Sequence, residues 1–231
     1  MKLISWIYPR RCALCDEVIS SKELVCKSCL GKIRPLSGET CSKCGKLLQD
    51  TSKLYCYDCS RKIHYYDRGY AIFEYRDVKE SLIRFKYYGR VEYARYYAMC
   101  AYSRYGDLFK SLKPDALIPV PIHKKREIKR GYNQAAVLAK ELSKLFNIPV
   151  REDLIFRKKA TIPLKKLDEA ARINNLKKAF IIPSNSVKLD TIVIIDDIYT
   201  TGSTMDVMSR LFRECGVKKI YFLTVAIGRG L

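Results

Sequence analysis

The sequence predicts an α/β fold: a twisted, mainly parallel sheet flanked by helices, with a small cysteine-rich segment at the N-terminal side. Residues 192–195 and 220–227 are apolar runs typical of buried strands, and the residues between them have helical periodicity, which is the pattern of a βαβ unit. Eight of the ten cysteines fall within residues 12–59. A chain of 231 residues is long enough for one core of ordinary size and such an appendage.

The cysteine-rich segment predicts metal sites. A Cys-x-x-Cys turn places two thiolates on one side of a metal ion, and two such turns complete a tetrahedral shell. Redox centres or disulfides would explain a lone pair but not four pairs in so short a segment. We therefore expect two structural Zn²⁺ ions, with ligands from four pairs: Cys12/Cys15, Cys26/Cys29, Cys41/Cys44 and Cys56/Cys59.

An internal repeat favours sequential pairing of these ligands. A shift of 29 or 30 residues superimposes the first two pairs on the last two, and both copies end in Lys-Ile, at Lys32-Ile33 and Lys62-Ile63. Each copy is predicted to be one ribbon with its own zinc. The interleaved arrangement, with Cys12/Cys15 joined to Cys41/Cys44, stays open. We expect residues 1–66 to form this double zinc ribbon, which would unfold without zinc, and residues 67–231 to form the α/β domain.

The first elements of the α/β domain can be placed from hydrophobic patterns. Residues 68–75 are typical of a strand, and residues 78–105 are mostly helical. Residues 116–120 predict a short buried strand that ends in a Pro119-Val120-Pro121 turn. Tyrosines between positions 87 and 105 alternate with bases, and we favour packing of an amphipathic helix over base stacking as their role.

A second helix and a basic segment follow. Asn133 can cap a helix that runs through Phe146. Its inner face is predicted to consist of Leu138, Leu142, Leu145 and Phe146. The segment 155–182 is polar, basic and weakly periodic, so we expect a mobile hairpin or loop region.

Residues 192–204 form the most informative segment, because a strand leads directly into two acids and a hydroxyl-rich turn. Asp196 and Asp197 can accept hydrogen bonds from vicinal ribose hydroxyls, and the turn can hold a 5'-phosphate at a helix N-terminus. The alternative is an ordinary strand, turn and helix, but two acids after a buried strand are unfavourable unless something binds them. The segment lacks the lysine of a Walker A loop. The remaining candidate ligand-binding residues are Ile198, Tyr199, Thr200, Thr201, Gly202, Ser203 and Thr204.

The helix after this turn has a clear apolar face and a clear end. Met205, Met208, Phe212 and Cys215 share one face, and Gly216 is placed to end the helix.

The charge favours polyanionic ligands. The formal net charge is +20, and eight zinc-bound thiolates with two Zn²⁺ ions would lower it by about 4, to roughly +16. A diffuse basic surface would serve solubility alone, but clusters near a phosphate site attract polyanions. The candidate nucleic-acid-binding residues are Lys124, Lys125, Arg126, Lys129, Arg130, Lys158 and Lys159.

Residues 192–204 closely resemble the phosphoribosyl pyrophosphate (PRPP) loop of type I phosphoribosyltransferases. Over essentially its full length the chain resembles the ComF (ComFC) family of phosphoribosyltransferase-like competence proteins. Besides the ribbons and the loop, the matching segments are Phe85-Lys86-Tyr87-x-Gly89, Ile118-Pro119-Val120-Pro121-x-His123 with Arg126, Arg130-Gly131-Tyr132-Asn133-Gln134, and Arg172-x-x-Asn175 with Ala179-Phe180. One departure is Leu164, where the family commonly has Gln three residues after the position of Thr161.

The resemblance implies a type I phosphoribosyltransferase-like fold and a role in DNA uptake during natural transformation. It implies that Asp196 and Asp197 hold the ribose of PRPP, and that His123, Lys124 and Arg126 face its pyrophosphate, with Mg²⁺ as the accompanying ion. The catalytic candidates are then Asp196, Asp197 and Arg126. Single-stranded DNA and other competence proteins, such as a DNA helicase, are the implied partners.

Two functional classes remain open. The chain is either a Mg²⁺-dependent phosphoribosyltransferase, a glycosyltransferase whose acceptor cannot be read from the sequence, or a non-catalytic DNA-binding factor that uses the PRPP pocket as a sensor or scaffold. No signal peptide or membrane span is recognisable, so we expect a cytoplasmic protein without membrane insertion.

Overall fold

The computed structural model describes residues 9–158, 179–183 and 188–228. Its helices and strands, in chain order, are α1 (Tyr57–Ser60), β1 (Arg68–Glu74), α2 (Tyr75–Tyr87), α3 (Tyr93–Leu112), β2 (Ala116–Pro119), α4 (Lys124–Arg130), α5 (Gln134–Phe146), β3 (Phe156–Arg157), β4 (Phe180–Ile181), β5 (Thr191–Tyr199), α6 (Ser203–Glu214) and β6 (Lys219–Ile227).

Four strands form one sheet in the order β1-β6-β5-β2, and each of its pairings is parallel. The predicted parallel sheet is therefore confirmed, and β5, α6 and β6 make the predicted βαβ unit. The short strands β3 and β4 pair antiparallel beside the sheet. Both lie in the segment 155–182, which was predicted to be a hairpin or loop region. Residues 159–178 of that segment lie outside the described residues.

The two faces of the sheet carry separate hydrophobic clusters. Val193 and Ile195 of β5 belong to one cluster, whereas Ile192 and Ile194 belong to the other, because successive side chains of a strand point to opposite faces. Helices α2, α3 and α5 cover the first face, and α6 covers the second. The carboxyl ends of all four strands meet at one edge, which is where ligands bind in open α/β sheets.

Each face also receives one cysteine-rich unit. Ribbon 1 (residues 10–33) contributes Cys12, Ala13 and Leu14 to the first cluster, and ribbon 2 (residues 39–63) contributes Cys41 and Cys44 to the second. The two ribbons therefore pack on opposite sides of the sheet.

Specific polar contacts fix both ribbons to the domain. Asp16 of ribbon 1 accepts two hydrogen bonds from Arg90, of 2.7 and 3.0 Å, and another from the Tyr93 hydroxyl. In ribbon 2, the Lys43 carbonyl accepts a hydrogen bond of 2.7 Å from the Gly69 amide at the start of β1.

Helix α5 confirms most of its prediction. The Asn133 side chain accepts a hydrogen bond of 3.1 Å from the Ala135 amide, as expected for an N-cap. Leu138 and Leu142 are buried, but the prediction for Leu145 is wrong, since this side chain is 37% exposed. Phe146 packs against the first hydrophobic cluster, with its ring 4.7 Å from that of Phe109, so the inner stripe reaches the end of the helix through Phe146, and Leu145 lies at its edge.

The tyrosines of α3 support the packing interpretation. Tyr93 and Tyr97 are fully buried, and Tyr105 donates a hydrogen bond of 2.7 Å to the Ala71 carbonyl. Tyr87 and Tyr88, at the end of α2, differ because they are 62% and 68% exposed. Among the described helices, none is both long enough and apolar enough to cross a membrane.

Candidate phosphoribosyl site and metal centres

The eight paired cysteines form two separate clusters. One contains Cys12, Cys15, Cys26 and Cys29, the other Cys41, Cys44, Cys56 and Cys59, and the four sulfur atoms of each lie within 4.8 Å of one another. This is the sequential arrangement that the repeat favours.

The spacing of the sulfur atoms fits zinc. Cys15 Sγ and Cys26 Sγ are 3.6 Å apart, and Cys44 Sγ and Cys56 Sγ are 3.7 Å apart. A tetrahedral centre with Zn–S bonds of about 2.3 Å separates its sulfurs by about 3.8 Å. Hydrogen bonding to Cys41 raises the pKa of Cys44, so thiols this crowded do not all ionise without a cation. The clusters fit two structural zinc sites.

The second cluster is connected to α6 through a histidine that the sequence did not single out. The His64 ring is 2% exposed, with Nε2 3.5 Å from Cys59 Sγ and Nδ1 2.9 Å from an Asp206 carboxylate oxygen. The Tyr65 amide also donates a hydrogen bond of 3.2 Å to Asp206. These contacts join ribbon 2 to the first turn of the helix that follows the hydroxyl-rich turn.

The two acids lie at the carboxyl end of β5, as predicted from the strand pattern. Asp196 Oδ1 accepts a hydrogen bond of 2.8 Å from the Asp197 amide. The Asp197 carboxylate forms an ion pair of 2.9 Å with Lys86, and the two side chains are 15% and 18% exposed. Burial, followed by the negative charge of Asp197, raises the pKa of Asp196 to about 7.

The turn after β5 presents backbone amides. Gly202 adopts a φ of 79° just before α6 begins at Ser203, and the Asp206 amide donates a hydrogen bond of 2.8 Å to the Gly202 carbonyl. The amides of the preceding positions in this first turn therefore face out of the helix N-terminus. The Thr201 and Ser203 hydroxyl oxygens are 3.0 Å apart. Amides and hydroxyls at a helix N-terminus are groups that can hold an anion.

Two residues of the predicted loop, Ile198 and Tyr199, pack into the hydrophobic clusters of the domain. The Tyr199 side chain is 4% exposed, its ring stacks on Phe222 at 4.9 Å, and its hydroxyl lies 2.8 Å from that of Tyr66. A Cβ at position 202 would lie 2.5 Å from the Tyr199 hydroxyl, so the tight packing of the turn requires glycine there. Ile198 is half-buried against the first hydrophobic cluster.

The basic turn after β2 lies beside the acids, because the Val120 amide donates a hydrogen bond of 2.9 Å to the Ile195 carbonyl. His123 caps α4 by accepting a hydrogen bond of 3.2 Å from the Lys125 amide. Arg130 bonds to Gln134 at 2.9 Å, and its guanidinium lies 4.8 Å from the Tyr87 ring centroid. The exposed predicted bases are Lys124, Lys125, Arg126, Lys129 and Lys158; Lys159 lies outside the described residues, as do Thr161, Leu164, Arg172 and Asn175.

Two further cations reach the acids. Lys86 pairs with Asp197 as described, and its only sequence signal was its place in the segment 85–89. Arg157 stacks on Phe180 with its guanidinium 5.3 Å from the ring centroid. Burial and the charge of Arg126 lower the pKa of Arg157, whereas the charge of Asp196 acts in the opposite direction. The β3–β4 pairing brings Arg157 there, and periodicity gave no sign of it.

Comparison with known families matches both parts of the chain. Residues 3–60 match the double zinc ribbon domain, and residues 129–230 match the phosphoribosyl transferase domain.

Relatives extend the similarity over nearly the whole chain. Competence protein F of Haemophilus influenzae is 33% identical over 217 residues, covering 91% of this chain and 93% of the relative. Competence protein ComFC of Bacillus subtilis is 30% identical over 227 residues, covering 89% of each. The DNA utilization protein YhgH of Escherichia coli O157:H7 is 34% identical over 107 residues, 46% of this chain and 47% of that protein.

Among solved structures, the purine phosphoribosyltransferase from Pyrococcus horikoshii aligns with a TM-score of 0.36 and 19% identity, over 57% of this chain and 74% of that chain. The hypoxanthine phosphoribosyltransferase from Staphylococcus aureus aligns with a TM-score of 0.37 and 14% identity, over 58% and 62%.

Proposed function

Because the chain belongs to the ComF/ComFC family of competence proteins, we propose that it binds PRPP at the carboxyl edge of its sheet and acts in DNA uptake during natural transformation. One observation carries this proposal: Asp196 and Asp197 lie near the end of β5, which runs to Tyr199, and the amide-lined turn leads from there into α6 at Ser203. An acid pair and an anion-binding turn at this spacing match the ribose hydroxyls and 5'-phosphate of one ligand.

The pyrophosphate of PRPP would lie toward the turn after β2. His123, Lys124 and Arg126 are the predicted contacts there. Arg157 is a further cation, and its pKa is lowered by the charge of Arg126 and raised by that of Asp196. Several cations near one acid pair suit a ligand that carries hydroxyls at one end and two phosphates at the other.

We propose that the chain is a phosphoribosyltransferase. Carboxylate oxygens of Asp196 and Asp197 fit Mg²⁺, which favours oxygen ligands, and the ion would neutralise part of the pyrophosphate charge. The groups of this chain would hold the ribose, stabilise positive charge that develops on it, and bind the leaving pyrophosphate through Arg126.

Single-stranded DNA is the proposed macromolecular ligand. The exposed bases of α4 adjoin Tyr87 and Tyr88, whose rings are 62% and 68% exposed. Arg130 joins these two features through its contact with Tyr87. Cations next to exposed aromatic rings bind the backbone and the bases of an unpaired strand. Other competence proteins, such as a DNA helicase, are the proposed protein partners in the cytoplasm.

Two measurements on the zinc-loaded protein test this proposal. Calorimetric titration with PRPP and Mg²⁺ should show binding, and failure to bind would overturn the assignment of the site. Pyrophosphate release with candidate acceptors then separates transfer from sensing. Measurable PRPP binding without release above background would favour the non-catalytic alternative, in which the pocket is a sensor or scaffold.

A further inference from the structure

A cavity of about 830 Å³ lies between ribbon 2 and the carboxyl ends of β1 and β6. Leu48, Leu54, Tyr55 and Tyr57 line it from the ribbon, and Glu74 and Gly228 line it from the sheet. Its size is in the range of about 300–1,000 Å³ typical of small-molecule sites. These residues are separate from the acid pair and from the basic surface described above.

The apolar side chains of this wall are exposed. Leu54 is 68% exposed, Tyr55 47% and Tyr57 61%. In the internal repeat, Tyr55 corresponds to Val25 of ribbon 1, which packs against the first hydrophobic cluster. Ribbon 1 thus covers this position with the core of the domain, whereas ribbon 2 presents it to the cavity. A clustered apolar surface of this kind marks a binding site.

The cavity adjoins the proposed phosphoribosyl site. Ile227 pairs with Tyr199 of β5, and the Gly228 amide donates a hydrogen bond of 2.9 Å to the Tyr199 carbonyl. Neighbouring strands are separated by about 4.8 Å. The floor of the cavity is therefore one strand away from the strand that carries Asp196 and Asp197.

Polar groups in the wall suit a heterocycle. Glu74 is 7% exposed and forms an ion pair of 2.8 Å with Arg76, and because a carboxylate accepts several hydrogen bonds it can also accept one from a ring N–H. Lys46, paired with Asp58 at 2.5 Å, can donate to a ring carbonyl. Aromatic side chains with a few oriented polar groups are typical of sites for planar rings.

We propose that this cavity binds a planar nitrogen heterocycle of nucleobase size, which accepts the 5-phosphoribosyl group. This acceptor role rests on the proposed transfer function. In the transfer, a ring nitrogen forms a bond to ribose C1, the bond from C1 to the pyrophosphate oxygen breaks, and pyrophosphate leaves with that electron pair. The proton of the ring nitrogen passes to water. Ribbon 2 then supplies one wall of the acceptor site.

Binding of four free bases to the zinc-loaded full chain tests the proposal. Adenine, hypoxanthine, uracil and cytosine are titrated with and without PRPP and Mg²⁺, with saturation-transfer NMR as the readout. Leu54→Asp and Tyr55→Ala alter the cavity wall. Leu30→Asp is the matched control, since Leu30 is 72% exposed on ribbon 1 and does not line the cavity. Zinc content and circular dichroism establish that each variant folds.

We expect at least one base to bind with a dissociation constant at or below about 1 mM. Loss of stacking should weaken its binding about tenfold in Tyr55→Ala, and the charge in Leu54→Asp should have a similar effect, while Leu30→Asp stays within twofold. PRPP affinity should be unchanged in all three variants.

Absence of binding by all four bases, or equal binding of a base by wild type and Leu54→Asp, would overturn the site even if PRPP binds. Base binding without any PRPP binding would overturn only the acceptor role. Loss of oligonucleotide affinity in Leu54→Asp without binding of free bases would reassign the cavity to DNA.

Discussion

His64 and Asp206 are joined by a buried contact of 2.9 Å between Nδ1 and a carboxylate oxygen. The other ring nitrogen of His64 faces Cys59 Sγ at 3.5 Å. A single side chain therefore connects the second cysteine cluster with the helix that carries the proposed phosphate site. This contact links ribbon 2 to the helix that begins directly after the hydroxyl-rich turn.

Substitution His64→Ala should weaken both stability and ligand binding. A hydrogen bond to a charged group contributes about 1.5–3 kcal/mol, and Asp206 would lose such a partner at a buried position. We expect a loss of stability of about this size, measured by chemical denaturation, together with a several-fold weaker PRPP affinity by calorimetry. His64→Asn, which keeps a donor near Asp206, should recover part of both. Unchanged PRPP affinity in a destabilised His64→Ala protein would show that the bridge supports the fold only.

Substitution Asp197→Asn should separate the two proposed ligands. The change removes the charge that pairs with Lys86 and that would accept hydrogen bonds from the ribose. The loss of about 1.5–3 kcal/mol predicts PRPP affinity lower by about ten- to a hundredfold. Affinity for single-stranded DNA, measured by fluorescence anisotropy, should stay nearly constant. An equal loss of both affinities would mean that the two sites overlap.

The raised pKa of Asp196 predicts a pH dependence of PRPP binding. Its pKa is about 7, so the hydrogen-bond-accepting carboxylate forms as the pH rises through this value. We expect PRPP affinity to increase between about pH 6 and pH 8. Phosphate groups of PRPP titrate as well, so Asp196→Asn is the control, and the part of the slope due to Asp196 should disappear in it. Identical pH profiles for both proteins would contradict the assignment.

The raised pKa of Asp196 makes the folded chain less stable as the pH rises, whereas it makes PRPP binding stronger. An unfolded aspartate has a pKa of about 3.9, so between about pH 4 and pH 7 the folded chain binds more protons at Asp196 than the unfolded chain does. Its contribution to stability should therefore decrease as the pH rises through this window. Denaturation of wild type and Asp196→Asn over the same range measures it.

Removal of zinc should unfold both ribbons. Each ribbon holds its four cysteines around one centre and has little other core, so metal binding supplies its folding energy. Chelation followed by colorimetric zinc determination and circular dichroism should show loss of structure together with loss of two ions. Because ribbon 2 is bonded to α6 through His64, PRPP affinity should fall as well. Retention of the native spectrum after demonstrated loss of both ions would contradict this expectation.

Single-stranded DNA affinity should decrease with salt. For unpaired strands, the slope of log affinity against log salt is about −0.7 for each neutralised phosphate. Lys124→Ala and Lys129→Ala should each reduce the magnitude of the slope by about this amount. Lys110→Ala is the matched control, because Lys110 is 67% exposed near the end of α3, on the side of the domain opposite the carboxyl edge. A slope that does not change with Lys124 or Lys129 would exclude α4 from the interface.

Tyr87→Ala tests the aromatic part of the same surface. Loss of one stacking platform costs about 1–3 kcal/mol per base, so we expect an affinity about five- to a hundredfold lower with an unchanged salt slope. A Tyr102→Ala variant serves as the control, since Tyr102 is 38% exposed on α3 and packs on Phe146. Equal effects of the two substitutions would contradict a specific role for Tyr87.

Local sequence information accounts for the elements that the structure confirms. Cysteine spacing gives the two clusters, because each depends on turns of a few residues that repeat along the chain. The strand pattern of β5 and the apolar face of α6 predict the positions of the acid pair and the turn, because strand, acids, turn and helix follow one another along the chain. Asn133 is found as a cap for the same reason.

Contacts between distant segments were not predictable from one sequence. His64 and Asp206 are 142 positions apart, and nothing in the composition near either residue indicates the other. Lys86 pairs with Asp197 only because α2 docks beside β5, and Arg157 acts on the charge of Asp196 only because the β3–β4 pair folds back toward it. The prediction for Leu145 is wrong because helical periodicity alone does not show how far the packed face extends around the helix; Phe146, the next residue, packs on Phe109 instead.

The order of strands in the sheet has a consequence for folding. Strand β1 pairs only with β6 within the sheet, for example Arg68 with Tyr221, although about two thirds of the chain lies between them. During synthesis β1 therefore leaves the ribosome long before its neighbour exists. Long-range pairing of this kind slows folding, because the chain must lose the entropy of closing a long loop before the stabilising contacts form. The cysteine-rich units emerge before the sheet and can acquire metal locally, so they are expected to fold early. Ribbon 1 can dock once Arg90 and Tyr93 are made, whereas the His64 contact of ribbon 2 must wait for Asp206 of α6.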